Sequence, residues 1–383
     1  MNGTKLYQKL AIVPIVALGL AVAGCNKQAD NGTITPTTTA NTSTTTTTGK
    51  NTTLNYSKNS PLDTSNMFTQ TDLTQTVDTT NAKKITLEDG KDVTIDAAGT
   101  YVITGTAKNS TVIVNASADA EVHLVFDNVS ITNTNKPTVY AVNAKNVYVT
   151  TIQNSTNNLK VTGEFTEDDG NDINAVIFAK TNITLNGLGT LNIDSSANGV
   201  ASNSDLKITG GIYNVNTIKH GFKALNSIRV ADGTFNINAM KDGFHSENED
   251  DLTTGYVYIA GGNFTINSED DGIQGTSITE IDGGTFAINA VEGIEGTYVQ
   301  INDGTIKIYA TDDGINASEK ATNYDVQIEI NGGNLDITMA EGDTDALDAN
   351  GTLTINGGYI NITAQFAFDF DLTASLNGGT VIV

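Results

Sequence analysis

The chain has 383 residues and carries 44 Asp and Glu against 20 Lys and Arg, a formal net charge of −24 at pH 7. A charge of that sign and size excludes nucleic acid and anionic membrane surfaces as partners. A single Cys excludes an intrachain disulfide, so packing and hydrogen bonds must hold the fold.

Residues 1–24 read as a secretion signal. Lys5 and Lys9 give a positive start, and Leu10 to Ala21 is an apolar run too short to span a membrane. It ends in Val22-Ala23-Gly24-Cys25, which has the form of a bacterial lipobox: cleavage before Cys25, then a diacylglycerol on its thiol. The alternative is an ordinary cleaved signal with an incidental Cys. The expected location is secreted and membrane-anchored, at the cell envelope or cell surface, with the lipid as the only membrane contact. Residues 25–83 follow as a tether and polar lead-in. Asn26 to Thr53 is Thr-rich and too poor in apolar residues to fold. Phe68, Leu73 and Val77 are too sparse to define an element, and part of this lead-in is expected to dock on the first coil.

Residues 84–383 form the folded domain. Its first part, 84–182, holds successive strand-like runs such as Val93-Thr94-Ile95, Tyr101-Val102-Ile103, Val112-Ile113-Val114 and Val122-His123-Leu124-Val125-Phe126. From 183 to 383 two phrases repeat. One is a turn, centred on Gly199, Gly221, Gly243, Gly272, Gly293 and Gly314; the other is a strand entry, at Gly211, Gly233, Gly262, Gly284, Gly304, Gly333, Gly358 and Gly379. A period in the low twenties marks stacked repeats. The runs between glycines alternate with period two, and no helical period is sustained, so the fold class is all-β: a parallel β-helix (solenoid) with coils of about 21–22 residues. Val200, Phe222, Phe244, Ile273, Ile294, Ile315 and Leu347 should stack as one core column. Insertions at Glu247 to Gly255 and at Ala317 to Tyr324, with Gly342-Asp343, should emerge as loops on one side. Phe366-Ala367-Phe368-Asp369-Phe370 breaks the pattern and reads as a C-terminal plug, with an aromatic sugar platform as the alternative.

The acids keep register with the coils. Asp242, Asp271, Glu292, Asp313 and Asp345 make one column, Asp270 and Asp312 a broken second, and Glu295, Asp348 and Asp369 a third. Like charges about 5 Å apart repel by about 1 kcal/mol in water and about 3 at a protein-surface dielectric. Such columns call for a counter-ion, and Ca²⁺, a hard cation with oxygen ligands, fits, helped by Asn from the strand phrases. The alternative is a solvated acidic face with raised carboxylate pKa values. The candidate metal ligands are Asp242, Asp270, Asp271, Glu292, Glu295, Asp312, Asp313, Asp345 and Asp348. Lys219 and Lys241 share a column beside the turn glycines; either could be the base of a Ca²⁺-dependent lyase, or simply an ion-pair partner of the acids. His220 and His245 lie in neighbouring turns, and their spacing suggests no Zn²⁺ site.

The Asp-Asp-Gly-Ile turns, the Gly-Gly-Thr-Phe/Ile strand phrases, Ala98-Gly99-Thr100-Tyr101-Val102-Ile103 and Asp345-Ala346-Leu347-Asp348-Ala349-Asn350-Gly351 together resemble the bacterial secreted carbohydrate-binding β-helix proteins. That family is similar to pectate lyases in architecture, binds Ca²⁺, and is associated with cellulose and acidic plant polysaccharides such as pectin. The resemblance implies a right-handed helix and places Ca²⁺ on the acidic turns collectively. Asn198 and His220 stand where the family's turns carry an acid. The expected function is a surface-anchored lipoprotein that binds polysaccharide through a calcium-stabilised β-helix, taken as a monomer. The alternatives are a calcium-dependent polysaccharide lyase and a structural or adhesion protein without a glycan ligand. No Trp is present, which argues against a stacking platform, although Tyr213, Tyr256, Tyr258, Tyr298, Tyr309 and Tyr359 are available.

Overall fold

The computed structural model describes residues 61–166, 173–342 and 344–383. Cys25, the signal sequence and the Thr-rich tether lie outside the described residues, as does Asp343. The described part is nearly all β: a long parallel sheet, one turn of 3₁₀-helix at Thr64–Asn66 and one α-helical turn at Gln70–Leu73.

Alternation sets each strand. In Thr234–Ala239 the apolar Phe235, Ile237 and Ala239 are buried, while Asn236 and Asn238 face out. Through the regular repeats, each strand pairs in parallel with its counterpart one repeat later, which makes three ladders. The first runs Thr190–Ser195, Ile212–Thr217, Thr234–Ala239, Asn263–Ser268, Thr285–Ala290, Thr305–Ala310, Asn334–Met339 and Tyr359–Thr363. The second carries Val200, Phe222, Phe244, Ile273, Ile294, Ile315 and Leu347 in direct register. All seven are fully buried, so the expected core column is present.

Parallel register puts identical positions about 4.8 Å apart, and the core aromatics follow it. Phe235, Phe264 and Phe286 stack ring on ring at 4.7 and 4.4 Å. Phe222 stacks on Phe244 at 5.0 Å, and the two columns meet edge to face. Offset and edge-on contacts of this kind add about 0.5–1.5 kcal/mol per pair beyond burial.

The glycines divide into two groups. The strand-entry glycines take positive φ, for example +120° at Gly262, where an L side chain is strained. The turn glycines are required by crowding instead. A Cβ on Gly272 would lie 2.5 Å from the Gly293 carbonyl oxygen and 2.5 Å from Ile288.

Both insertions leave the ladders, and they meet: the Tyr324 hydroxyl donates to the Thr253 carbonyl at 3.3 Å. Phe366–Phe370, read from the sequence as a C-terminal plug, forms a ladder strand. It extends the second ladder, with Phe368 over Leu347 and Asp369 over Asp348, and Phe368 and Phe370 pack against the core.

The lead-in docks far from the first strand. Thr69 and Asp72 form a capping box, and the buried Asp72 carboxylate accepts from Thr184 Oγ1 at 2.9 Å and Lys207 Nζ at 2.7 Å. Gln75 bonds Gly187 and Thr209, while Met67 and Phe68 pack on Ala231 and Tyr258. The segment is thus a strap across the outer side of the third ladder, which runs Ile183–Gly187, Asp205–Ile208, Ser227–Val230 and Tyr256–Ile259. Its sparse apolar residues suffice because polar anchors share the work.

Candidate metal centre

The acidic turns join the first ladder to the second, and the backbone fixes their register. Gly243 N–H donates to the Asp271 carbonyl, Gly272 to Glu292 and Gly293 to Asp313, at 2.8–3.0 Å. Side chains at the turn positions must therefore stack. Three groups of carboxylates result among the described residues: Asp242, Asp270 and Asp271; Asp271, Glu292 and Glu295; and Glu292, Asp312 and Asp313. Within each, one ligand atom per residue lies within 4.8 Å of the others, and neighbouring groups share a member. Asp242, Asp271 and Glu295 are buried, and Asp312 is exposed. Asp345 and Asp348 continue the two columns in register with Asp313 and Asn316 but belong to none of the three groups.

The neutral partners differ from those expected. The strand Asn residues face the other way and bond one another, as Asn214 to Asn192 and Asn236 to Asn214 at 2.7 and 2.9 Å. The amides among the acids come from the second ladder. Gln274 bridges Asp271 and Glu295, and Asn316 donates to Glu292 at 2.9 Å. Lys320, from the second insertion, reaches Glu295 at 2.8 Å. Sequence reasoning missed it, because nothing in the repeat predicts where an inserted loop returns.

Crowding shows in the protonation equilibria. Burial, with the charges of Asp242, Glu295 and Glu292, holds the Asp271 carboxyl far above the usual range. Burial and Glu295 raise Glu292. Burial, with Asp348, Glu292 and Asp312, pushes Asp313 up to about 8. These carboxylates are short of positive charge, and their donors are hard oxygens, so the set fits Ca²⁺. Bound there, a cation would replace protons.

Of the two candidate bases, Lys241 is held by Asp270 at 2.6 Å, which raises its pKa and opposes proton abstraction. Lys219 is exposed. The histidines are closer than their spacing suggests: both reach the same Asp242 carboxylate oxygen.

An open groove runs along the exposed side of the first ladder, beside the acids. A hollow of about 430 Å³ is lined by Asn216, Asn238, Asn267, Ile218, Met240 and Glu269. A second of about 350 Å³ shares Asn267 and Asn289 with it and leads to Tyr309.

Residues 89–297 and 290–375 match the sequence family described as carbohydrate-binding domain-containing protein, well over half of the chain. The chain belongs to that family. A carbohydrate-binding domain-containing protein of Acetivibrio thermocellus is 33% identical over 124 residues, which are 32% of this chain and 43% of that protein. The chain thus spans less than half the length of this relative. Among solved structures, the polysaccharide lyase-like protein from C. thermocellum, a gadolinium derivative, aligns with a TM-score of 0.51 at 25% identity, over 69% of this chain and 98% of that one. In this chain, the groove and the acidic turns lie side by side, with Glu269 lining the one and Asp270 and Asp271 building the other.

Proposed function

We propose that this chain is a surface lipoprotein anchored through Cys25, and that its three ladders are the faces of a right-handed parallel β-helix that binds polysaccharide. The ligand is an acidic plant-type or a cellulosic glycan, laid along the groove of the first ladder. Ca²⁺ held by Asp242, Asp270, Asp271, Glu292, Glu295, Asp312 and Asp313 stabilises the stack and bridges to acidic sugars. Asp345 and Asp348 extend the same edge. One observation carries this reading: the carboxylate groups are in register along the edge of an open, amide-lined groove. Family membership supports the class of ligand.

The test is retention on insoluble pectate and on cellulose, with and without a Ca²⁺ chelator. The expected result is retention on at least one glycan, lost several-fold on chelation and in Asp271→Asn. Absence of retention on any insoluble glycan, with the fold intact, would overturn the reading. Release of unsaturated, ultraviolet-absorbing products would replace it with a lyase.

A further inference from the structure

The acidic column changes chemistry at one end. Where later turns stack Asp or Glu, the turn before Asp242 carries His220, and the second ladder carries His245 three residues after Asp242. Both imidazoles turn toward Asp242. His220 Nδ1 lies 3.3 Å from Asp242 Oδ2, and His245 Nδ1 lies 2.5 Å from the same oxygen. The rings stack with centroids 4.3 Å apart. Asp242 and His245 are buried. The other nitrogen of His245 faces Glu247 Oε2 at 3.2 Å. A carboxylate on the far ring nitrogen sets the tautomer of a metal-bound imidazole and leaves the near one free to coordinate. His220 Nδ1 accepts a backbone N–H from Asp242 at 3.3 Å, a long bond that a metal ion on this nitrogen would displace.

We propose that His220, Asp242 and His245 form a site for a borderline transition-metal dication such as Zn²⁺, oriented by Glu247, at the end of the column where Asp242 is shared with the first carboxylate group. Two imidazoles and one carboxylate are a donor set that Zn²⁺ accepts, with room for a fourth ligand. Tetrahedral ligand atoms at about 2.0 Å from zinc stand roughly 3.3 Å from one another. The His220–Asp242 pair has this separation, and the His245–Asp242 pair needs to open by less than one ångström. Lys223, in register with His245, is the nearby positive charge that such an ion must share the site with. Glu247 offsets it.

The experiment is titration of the full chain with Co²⁺ as a visible probe, in Ca²⁺ so that the carboxylate groups from Asp271 onward are filled and only the end of the column, where Asp242 is shared, is contested. One equivalent of Co²⁺ should give a visible ligand-field band, and Zn²⁺ should displace it. The band should be lost in His245→Ala and His220→Asn and kept in Asp313→Asn, which alters only the far part of the column. In parallel, Zn²⁺ added to the unmodified protein should shift the ring resonances of two of the three histidines and leave His123 unmoved. No band, a band unchanged in both histidine variants, or no histidine shift in the unmodified protein would overturn the proposal. Loss of Ca²⁺-dependent glycan retention would leave it standing.

Discussion

At the level of single residues, the strap is held chiefly by Asp72. Burial alone would raise its pKa, but Lys207 and Thr69 outweigh burial and hold the carboxyl below the usual range. A depressed folded-state pKa means that the stabilisation is present above the ordinary carboxylate range, about 3.9, and is lost as pH falls through the folded value. Removing one partner of a buried pair costs about 3–5 kcal/mol, spent here on local detachment before global unfolding. Asp72→Asn should therefore speed hydrogen exchange at the Gly187 amide, which donates to Gln75 at 2.8 Å. The effect should be large at neutral pH and shrink below about pH 4. Unchanged exchange at neutral pH would show that the strap does not depend on this carboxylate. None of this was legible in the sequence. Asp72 and Lys207 are separated by 135 positions, and the strap lies outside the repeat that makes other contacts readable. The pairing of two histidines through Asp242 was readable in principle, since a 22-residue step places His220 over Asp242. A search for zinc spacing along the chain, rather than across the stack, hid it.

At the level of elements, period and alternation carried most of the information. The core column from Val200 to Leu347 follows from counting residues between turn glycines, because parallel in-register pairing converts a sequence period into vertical contact. The break at Phe366 was less readable. Aromatics in place of an acidic turn suggest a change of role, yet Phe368 occupies an ordinary ladder position. Two substitutions test the account of the repeat. Phe235→Ala removes a ring from the middle of the stack and should cost about 3–5 kcal/mol, seen in the denaturant midpoint. Gly272→Ala forces a methyl group against a neighbouring carbonyl and should cost about 1–3 kcal/mol, while Ala at an exposed strand position such as Asn236 should cost far less. Equal effects at Gly272 and Asn236 would contradict the assignment of the turn glycines to close approach.

At the level of the whole molecule, the excess negative charge is not spread evenly. It is concentrated where the ladders force carboxylates together, and that makes the acidic edge a store of unfavourable charge. The column was legible because it shares the period of the core; Lys320 and the bridging Gln274 were not, since they arrive from a loop and from the adjoining ladder. For a carboxylate raised by burial, such as Asp313 at about 8, the native state holds its proton above the pH at which the unfolded chain gives it up. Without metal, stability should fall as pH rises from about 4 to about 8. A cation at a hundred times its dissociation constant adds about 2.7 kcal/mol per site, and its effect should grow over the same pH range as protons leave. The most direct measurement is the unfolding midpoint of the full chain in EDTA and in millimolar Ca²⁺ near pH 8. A rise of several degrees with Ca²⁺, much reduced in the double variant Asp271→Asn/Asp313→Asn, is the result this account predicts. A midpoint indifferent to Ca²⁺ would contradict it, leaving the acidic edge to protons, Lys241 and Lys320.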